Sequence, residues 1–258
     1  MNLGLTNKNA LVCGSTQGIG KASAIDLADE GANITLLARN ENRLKKVLRE
    51  LPQNGNQKHT YLVADFSDSN QVKKIISKHN NYHILINNTG GPKSGSIYKA
   101  SSTEFIEAFQ MHLITNQLLV QGVVPYMKSE KFGRIINIIS TSVKEPIPGL
   151  GVSNTIRNAV ANWAKTMAGE LAEFGITINN VLPGFTETAR LDQIIKIKAT
   201  QGGTSEEAMA QIMMNYVPAK RFAKPEETAH AVTFLASTAA GYITGINLPV
   251  DGGRTKSL

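Results

Sequence analysis

The chain has 258 residues, 27 basic against 20 acidic side chains, a formal charge of +7 and a single cysteine, Cys13. One cysteine excludes a disulfide framework or a cysteine-rich zinc site, and no metal site is expected; the length suits one domain that needs no covalent staple; no apolar stretch approaches the roughly 18 residues that span a bilayer. The basic residues are dispersed and aromatics are few, so the charge reads as a solvated surface, or as a match to a small polyanion or acidic partner, and not as a nucleic-acid footprint. The N-terminal stretch lacks the basic-then-apolar pattern of a secretory leader, so a cytoplasmic protein with no membrane partner is expected.

In chain order, short apolar runs alternate with longer amphipathic stretches. Asn9–Gly14 leads into a glycine-rich turn and a helical pattern marked by Ile25, Leu27 and Ala28. Asn33–Ala38 precedes a helix with Leu44, Val47, Leu48 and Leu51, and Thr60–Ala64 one with Val72, Ile75 and Ile76. His83–Asn87, Arg134–Ile139 and Thr177–Leu182 follow; between the last two, Ile156, Val160, Trp163, Met167 and Leu171 form an i, i+3/i+4 stripe. Continuous apolar runs suit strands buried on both faces. Their alternation with helices predicts an α/β fold with a doubly wound parallel sheet.

Residues 186–220 depart from that rhythm. Thr204 with Glu207 reads as a capping box opening a short helix that carries Met209, Ile212, Met213 and Met214. The segment is either an ordinary surface helix packed on the core or a lid over a ligand site, since long insertions after parallel strands often cover active sites.

The turn after the first strand contains Gly14, Gly18 and Gly20. Glycine is needed where backbone approaches a pyrophosphate and where helix meets strand, and the helix N-terminus then offers free N–H groups to phosphate. The context, strand–loop–helix, is that of a Rossmann-type dinucleotide site. At the end of the second strand, where a carboxylate would bind the ribose diol of NAD, stand Ala38 and Arg39. A guanidinium there suits a 2′-phosphate, so NADP(H) is the expected cofactor.

With these motifs in order, nearly the whole chain resembles the short-chain dehydrogenase/reductase family, of the type that includes the 3-oxoacyl-[acyl-carrier-protein] reductases. Gly14–Gly20, with Ser15 and Ile19, resembles the family's cofactor loop, and Asp65–Asp68 the motif whose first Asp contacts adenine. Asn87–Gly90 resembles its Asn-Asn-Ala-Gly turn, with Thr89 in place of Ala. Ser140 resembles the catalytic serine, and Asn179–Thr188, with Pro183, Gly184 and Thr188, the Pro-Gly motif beside the nicotinamide. Residues 224–237 and 242–253 resemble the last helix and last strand. The resemblance implies a carbonyl/alcohol oxidoreductase acting on a small molecule, with a carrier-bound acyl group among the candidates. It also implies a homotetramer, with a dimer as the smaller alternative; the apolar stripe of the Asn154–Phe174 helix, Trp163 included, is expected to be partly exposed for helix pairing.

The departures from the pattern concern the active site. Family members use an Asn-Ser-Tyr-Lys tetrad. Where Tyr is expected stands Ser153, and at i+4, where Lys is expected, Arg157. The tetrad Asn position holds His112, with Asn116 one turn further along. A serine hydroxyl is a far weaker acid than a phenol, and an arginine keeps a positive charge without releasing its proton. Loss of proton-transfer catalysis is worth about 10²–10⁴-fold in rate. Two readings follow: a reductase whose proton comes through His112, whose ordinary pKa of about 6.5 makes it a usable acid, or a weak or silent NADP(H)-binding protein acting as a sensor or assembly subunit. His112 could equally be a helix histidine bonded to backbone, and Ser153 a helix cap near Asn154.

Overall fold

The computed structural model describes residues 2–257. In chain order the elements are β1 (Asn9–Cys13), α1 (Gly18–Asp29), β2 (Asn33–Ala38), α2 (Glu41–Glu50), β3 (Thr60–Val63), α3 (Ser69–Ile76), β4 (Ile84–Asn87) and α4 (Ser102–Phe109). They continue with α5 (Thr115–Ser129), β5 (Gly133–Ile138), α6 (Gly151–Leu171), β6 (Ile176–Pro183), α7 (Ala189–Gly202), α8 (Glu206–Asn215), α9 (Pro225–Ala236) and β7 (Asn247–Val250). A π-helical turn, Gln110–Ile114, joins α4 to α5. The strands pair in parallel in the order β3-β2-β1-β4-β5-β6-β7.

Side chains alternate across each strand and so feed two cores. Ala10 and Val12 of β1 join Leu27 of α1, Leu44 and Val47 of α2 and Val232 of α9 on one face. Leu11 and Cys13 join Val72 of α3, Val120 of α5 and Ala164 of α6 on the other. β1, β2, β4, β5 and β6, almost wholly buried, and the more exposed edge strand β3 are the six apolar runs of the sequence, displaced by no more than a residue at their ends; the partly exposed β7 is expected only from the resemblance. The strand order reverses between β1 and β4, and an open α/β sheet binds its ligand outside the carboxyl ends at such a point. Glycines 14, 18 and 20, the turn after β4 and Ser140 after β5 all lie at that end.

Residues 187–222 hang from a narrow neck. Glu187 N donates to Ala223 O (2.9 Å) and Ala223 N to Phe185 O (2.9 Å). Within the loop, α7 and α8 pack on each other through Leu191, Ile195 and Met213, against Phe185 and Phe222. The cap of α8 is Ser205, whose Oγ accepts from Ala208 N (3.1 Å), one residue later than the expected Thr204 box. On α6, Ile156, Val160 and Leu171 are buried, while Trp163 is half-buried with its indole N–H donating to Gln117 (2.7 Å). The most exposed large apolar side chains lie elsewhere, Ile106 and Phe109 on α4 and Ile212 on α8 among them; α6 packs on the sheet and on α4, and Trp163 and Met167 stay partly exposed. No helix is long and apolar enough to cross a membrane among the described residues.

Candidate active site

The phosphate end is built on backbone. Gly14 and Gly18 take φ of 59° and 52°, in the left-handed region that glycine alone adopts without strain. A Cβ on Gly20 would stand 2.4 Å from Gly14 O and 2.5 Å from Asn88 Nδ2, so the turn closes only on a bare Cα. Asn88 holds it shut: its Nδ2 lies 3.3 Å from both Cys13 O and Gly14 O. Ser15 is fully buried and its Oγ has no partner among the described residues, while Ile19 is half-buried behind the loop. The first turn of α1 carries no acid, and Gln17 at its cap makes no side-chain capping bond. The leading N–H groups of α1 therefore stay free at the positive end of the helix dipole, which fits a diphosphate.

Beyond the loop, Arg39 is exposed and its Nη1 lies 4.0 Å from Asp65 Oδ2. Asp65 Oδ1 accepts from the backbone and hydroxyl of Ser67 (2.9 and 2.7 Å), which with Arg39 holds the carboxyl below its usual range. A second cation was not apparent from the sequence. Arg43, in the first turn of α2, donates to Gln17 Oε1 (3.3 Å) and so faces the phosphate loop beside Arg39. The spacing of Arg43 within α2 is that of any surface arginine; only the packing of α2 beside α1 brings it there.

Other expected contacts divide. Thr188 caps α7 through Leu191 N (3.4 Å), and its Cγ2 would lie 3.0 Å from a Cβ on Gly18, which places it between the loop and the neck. Gly90 looks onto open space. Pro183 and Gly184 end β6; a Cβ on Gly184 would strike Asp251 Cα at 2.6 Å, so that glycine serves the close approach of residues 250–252. Asn87 is turned into the sheet. Its Nδ2 donates to Asn137 (2.9 Å), whose Nδ2 donates to Asn180 (2.8 Å), whose Nδ2 donates to Asn247 (2.8 Å). These residues stand at matched register on β4 to β7, an amide ladder under the site. The Asn87 side chain is thus a brace, and what it can offer a ligand is its backbone.

The altered tetrad positions do converge. Ser140, just after β5, accepts at Oγ from Ser142 N (3.0 Å), which leaves its own O–H to donate. Arg157 is buried and donates from Nη1 to Ile138 O (3.1 Å), two residues before Ser140. Burial, with Arg190 as a second positive charge, pushes Arg157 down to about 10. Ser153 is buried in the first turn of α6, which begins at Gly151 after Leu150, so it is not the helix cap that was one reading of it.

His112 lies in the π-helical turn, a feature that often marks functional sites, and is 1 % exposed. Its Nδ1 shares a hydrogen bond with Thr89 Oγ1, and its Nε2 is buried without a partner among the described residues. Burial first, and the Arg157 charge second, push its pKa down to about 2. The protonated, donor form of this imidazole is thus disfavoured by its burial and by the Arg157 charge. Asn116, the other candidate for the tetrad position, is buried in α5. One further residue escaped the sequence. Arg190, in the first turn of α7, donates from Nη2 to Pro92 O in the loop after β4 (2.7 Å).

The family described as Enoyl-(Acyl carrier protein) reductase matches residues 14–255. NADPH-dependent reductase BacG of Bacillus subtilis is 30 % identical over 98 % of this chain and 100 % of its own. The 3-oxoacyl-[acyl-carrier-protein] reductase FabG of Haemophilus influenzae is 32 % identical over 96 % and 98 %. Among solved structures, L-sorbose reductase of Gluconobacter frateurii, complexed with NADPH and L-sorbose, superposes over the whole of both chains with a TM-score of 0.93 at 30 % identity. The glycine loop at the sheet's switch point and these full-length likenesses agree: the chain belongs to the short-chain dehydrogenase/reductase family.

Proposed function

We propose that this protein is an NADP(H)-dependent reductase of small carbonyl compounds. One observation carries the reading: an uncapped, acid-free helix N-terminus flanked by Arg39 and Arg43 opens onto the same sheet end that presents Ser140 and Arg157. The free N–H groups of α1 would hold the diphosphate, and Arg39 and Arg43 would hold the 2′-phosphate. The reduced nicotinamide, when bound, supplies a hydride to the carbonyl carbon. Ser140 donates its hydroxyl proton as a hydrogen bond to the carbonyl oxygen and orients it. Arg157 stabilises the alkoxide that develops there by its charge, a contribution worth about 10²–10³-fold for one preorganised donor. With His112 neutral and no phenol at position 153, the alkoxide takes its proton from water. Residues 187–222, pinned at their neck, close over the site as a lid.

The test is NADPH absorbance against a carbonyl panel, with Ser153→Tyr/Arg157→Lys and Arg157→Met alongside the parent. The parent turns over at least one carbonyl, Arg157→Met loses about 100-fold or more in kcat, and the double variant responds to pH through its new phenol. Tight NADPH binding with no turnover on any member of the panel would instead establish the sensor or assembly reading. A homotetramer is part of the proposal, and light scattering that finds a stable monomer at micromolar concentration refutes it.

A further inference from the structure

Two arginines stand at this end of the sheet, Arg157 bonded to Ile138 O beside Ser140 and Arg190 to Pro92 O after β4, near enough that the charge of Arg190 acts on Arg157. Arg157 is 7 % exposed, and Arg190 is half-buried with its guanidinium against the Gly90–Pro92 loop, where a Cβ on Gly91 would come within 3.7 Å of Nη2. Each uses a donor on a backbone carbonyl, Ile138 O for Arg157 and Pro92 O for Arg190, out of the five that a guanidinium carries. Neither forms an ion pair among the described residues. A buried cation without an anion is costly, and a second cation beside it adds to that cost. On the reductase reading the cofactor's own anions have other partners, the N-terminus of α1 for the diphosphate and Arg39 and Arg43 for the 2′-phosphate. The reacting carbonyl is neutral.

We propose that Arg190 is a specificity-determining residue that pairs with a carboxylate on the carbonyl substrate, with Arg157 reinforcing the positive field. The proposal rests on the reductase reading and names its substrate class: a free oxo acid in place of a carrier-bound thioester. A planar guanidinium fork matches a carboxylate in two parallel hydrogen bonds, which a lysine cannot do. Arg190 stands at the neck end of the α7–α8 segment, two residues after the cap Thr188, whereas Arg157 belongs to the sheet-packed helix α6. A carboxylate held between them ties the α7–α8 segment to the sheet-packed side of the cleft. Gly90, whose missing side chain looks onto open space, leaves room for it.

The experiment compares pyruvate, 3-oxobutanoate and 4-oxopentanoate, each with its methyl ester, and 3-oxobutanoate also with its N-acetylcysteamine thioester. NADPH oxidation gives kcat/KM, and calorimetry on the NADPH-loaded protein gives binding. The parent should favour at least one acid over its ester by about 10-fold or more, the value of a charge-assisted hydrogen bond. Arg190→Gln should bring that ratio close to one while the NADPH dissociation constant stays in place. Arg190→Lys, which keeps the charge and loses the fork, should fall between and serves if the glutamine variant does not fold. Equal use of acid and ester, or a preference for the thioester, overturns the proposal. So does an Arg190→Gln protein that binds NADPH more weakly with its acid preference intact, which would assign the residue to the cofactor. If no carbonyl is turned over, the reductase reading fails and binding still decides: acid-selective binding lost in Arg190→Gln upholds the subsite, and its absence overturns it.

Discussion

Thr89 and His112 are hydrogen-bonded to each other, Oγ1 to Nδ1, across the entrance of the π-helical turn that links α4 to α5. They are two of the positions at which this chain departs from the short-chain dehydrogenase/reductase pattern, Thr where Ala is usual and His where Asn is usual. The departures are therefore coupled in space: the imidazole needs a polar neighbour in a buried turn, and the threonine supplies it. Arg157, a third departure, faces the same ring and helps keep it neutral.

That neutrality gives the first prediction. Burial lowers the folded pKa of His112 to about 2, against about 6.5 in an unfolded chain. Between those values the unfolded chain binds a proton that the native state does not, so the stability linked to His112 is full above about pH 6.5 and is lost as pH falls. From pH 6.5 to 5 the loss approaches about 2 kcal/mol, at about 1.4 kcal/mol per unit. His112→Asn should be less sensitive to that acidification in urea unfolding. Part of the sensitivity persists through His83, whose pKa is also lowered, chiefly by burial. Turnover of the parent should show no step assignable to His112 near pH 6.5.

Arg39 and Arg43 should act as a pair on cofactor choice. Each single Ala variant should weaken NADPH binding by about 10-fold, the scale of a hydrogen bond to a charged group, and leave NADH binding nearly unchanged. Both cations are near the surface, so the effect should shrink as salt is raised. Fluorescence titration with both cofactors at low and high ionic strength reads this directly.

Gly20→Ala tests the loop. Its Cβ would overlap the backbone atom Gly14 O at 2.4 Å and the amide end of Asn88, itself held on Cys13 O and Gly14 O, at 2.5 Å. Forced overpacking costs about 1–3 kcal/mol, so a measurable fall in thermal midpoint is expected, with a larger fall in NADPH affinity because the displaced backbone is the ligand surface. A variant that binds NADPH like the parent would show that the turn does not contact the diphosphate.

Asn137 is one of the two inner rungs of the amide ladder, fully buried and bonded to Asn87 on one side and Asn180 on the other. Asn137→Ala strands an amide donor and an amide acceptor at once, at about 1–3 kcal/mol each. The urea midpoint should move accordingly. Asn87 precedes the turn that positions Asn88, so NADPH affinity should fall as well; Asn247→Ala, at the outer end and half-buried, should cost less on both measures.

Six strands and the glycine loop could be read from the chain alone, because each rests on local information, while the departures at positions 112, 153 and 157 and the last strand showed only against the family pattern that the chain resembles. Apolar runs declare strands buried on both faces, glycine spacing declares a turn that no side chain can enter, and Arg39 sits at a position defined by the end of β2. The limits of local reading show at Thr204, where the cap is Ser205, and at Ser153, where a polar residue near a helix start is buried inside the first turn instead of capping it. What the tertiary structure decided are relationships between residues far apart in the chain: Thr89 with His112, Arg43 with Gln17, Arg190 with Pro92, and the asparagines of β4 to β7 at one register. His112 is the sharpest case. Its identity suggests an acid near neutrality, but whether an imidazole holds a proton depends on the water around it and the charges facing it. Both were set when the π-helical turn packed against Arg157, which no spacing in the sequence encodes.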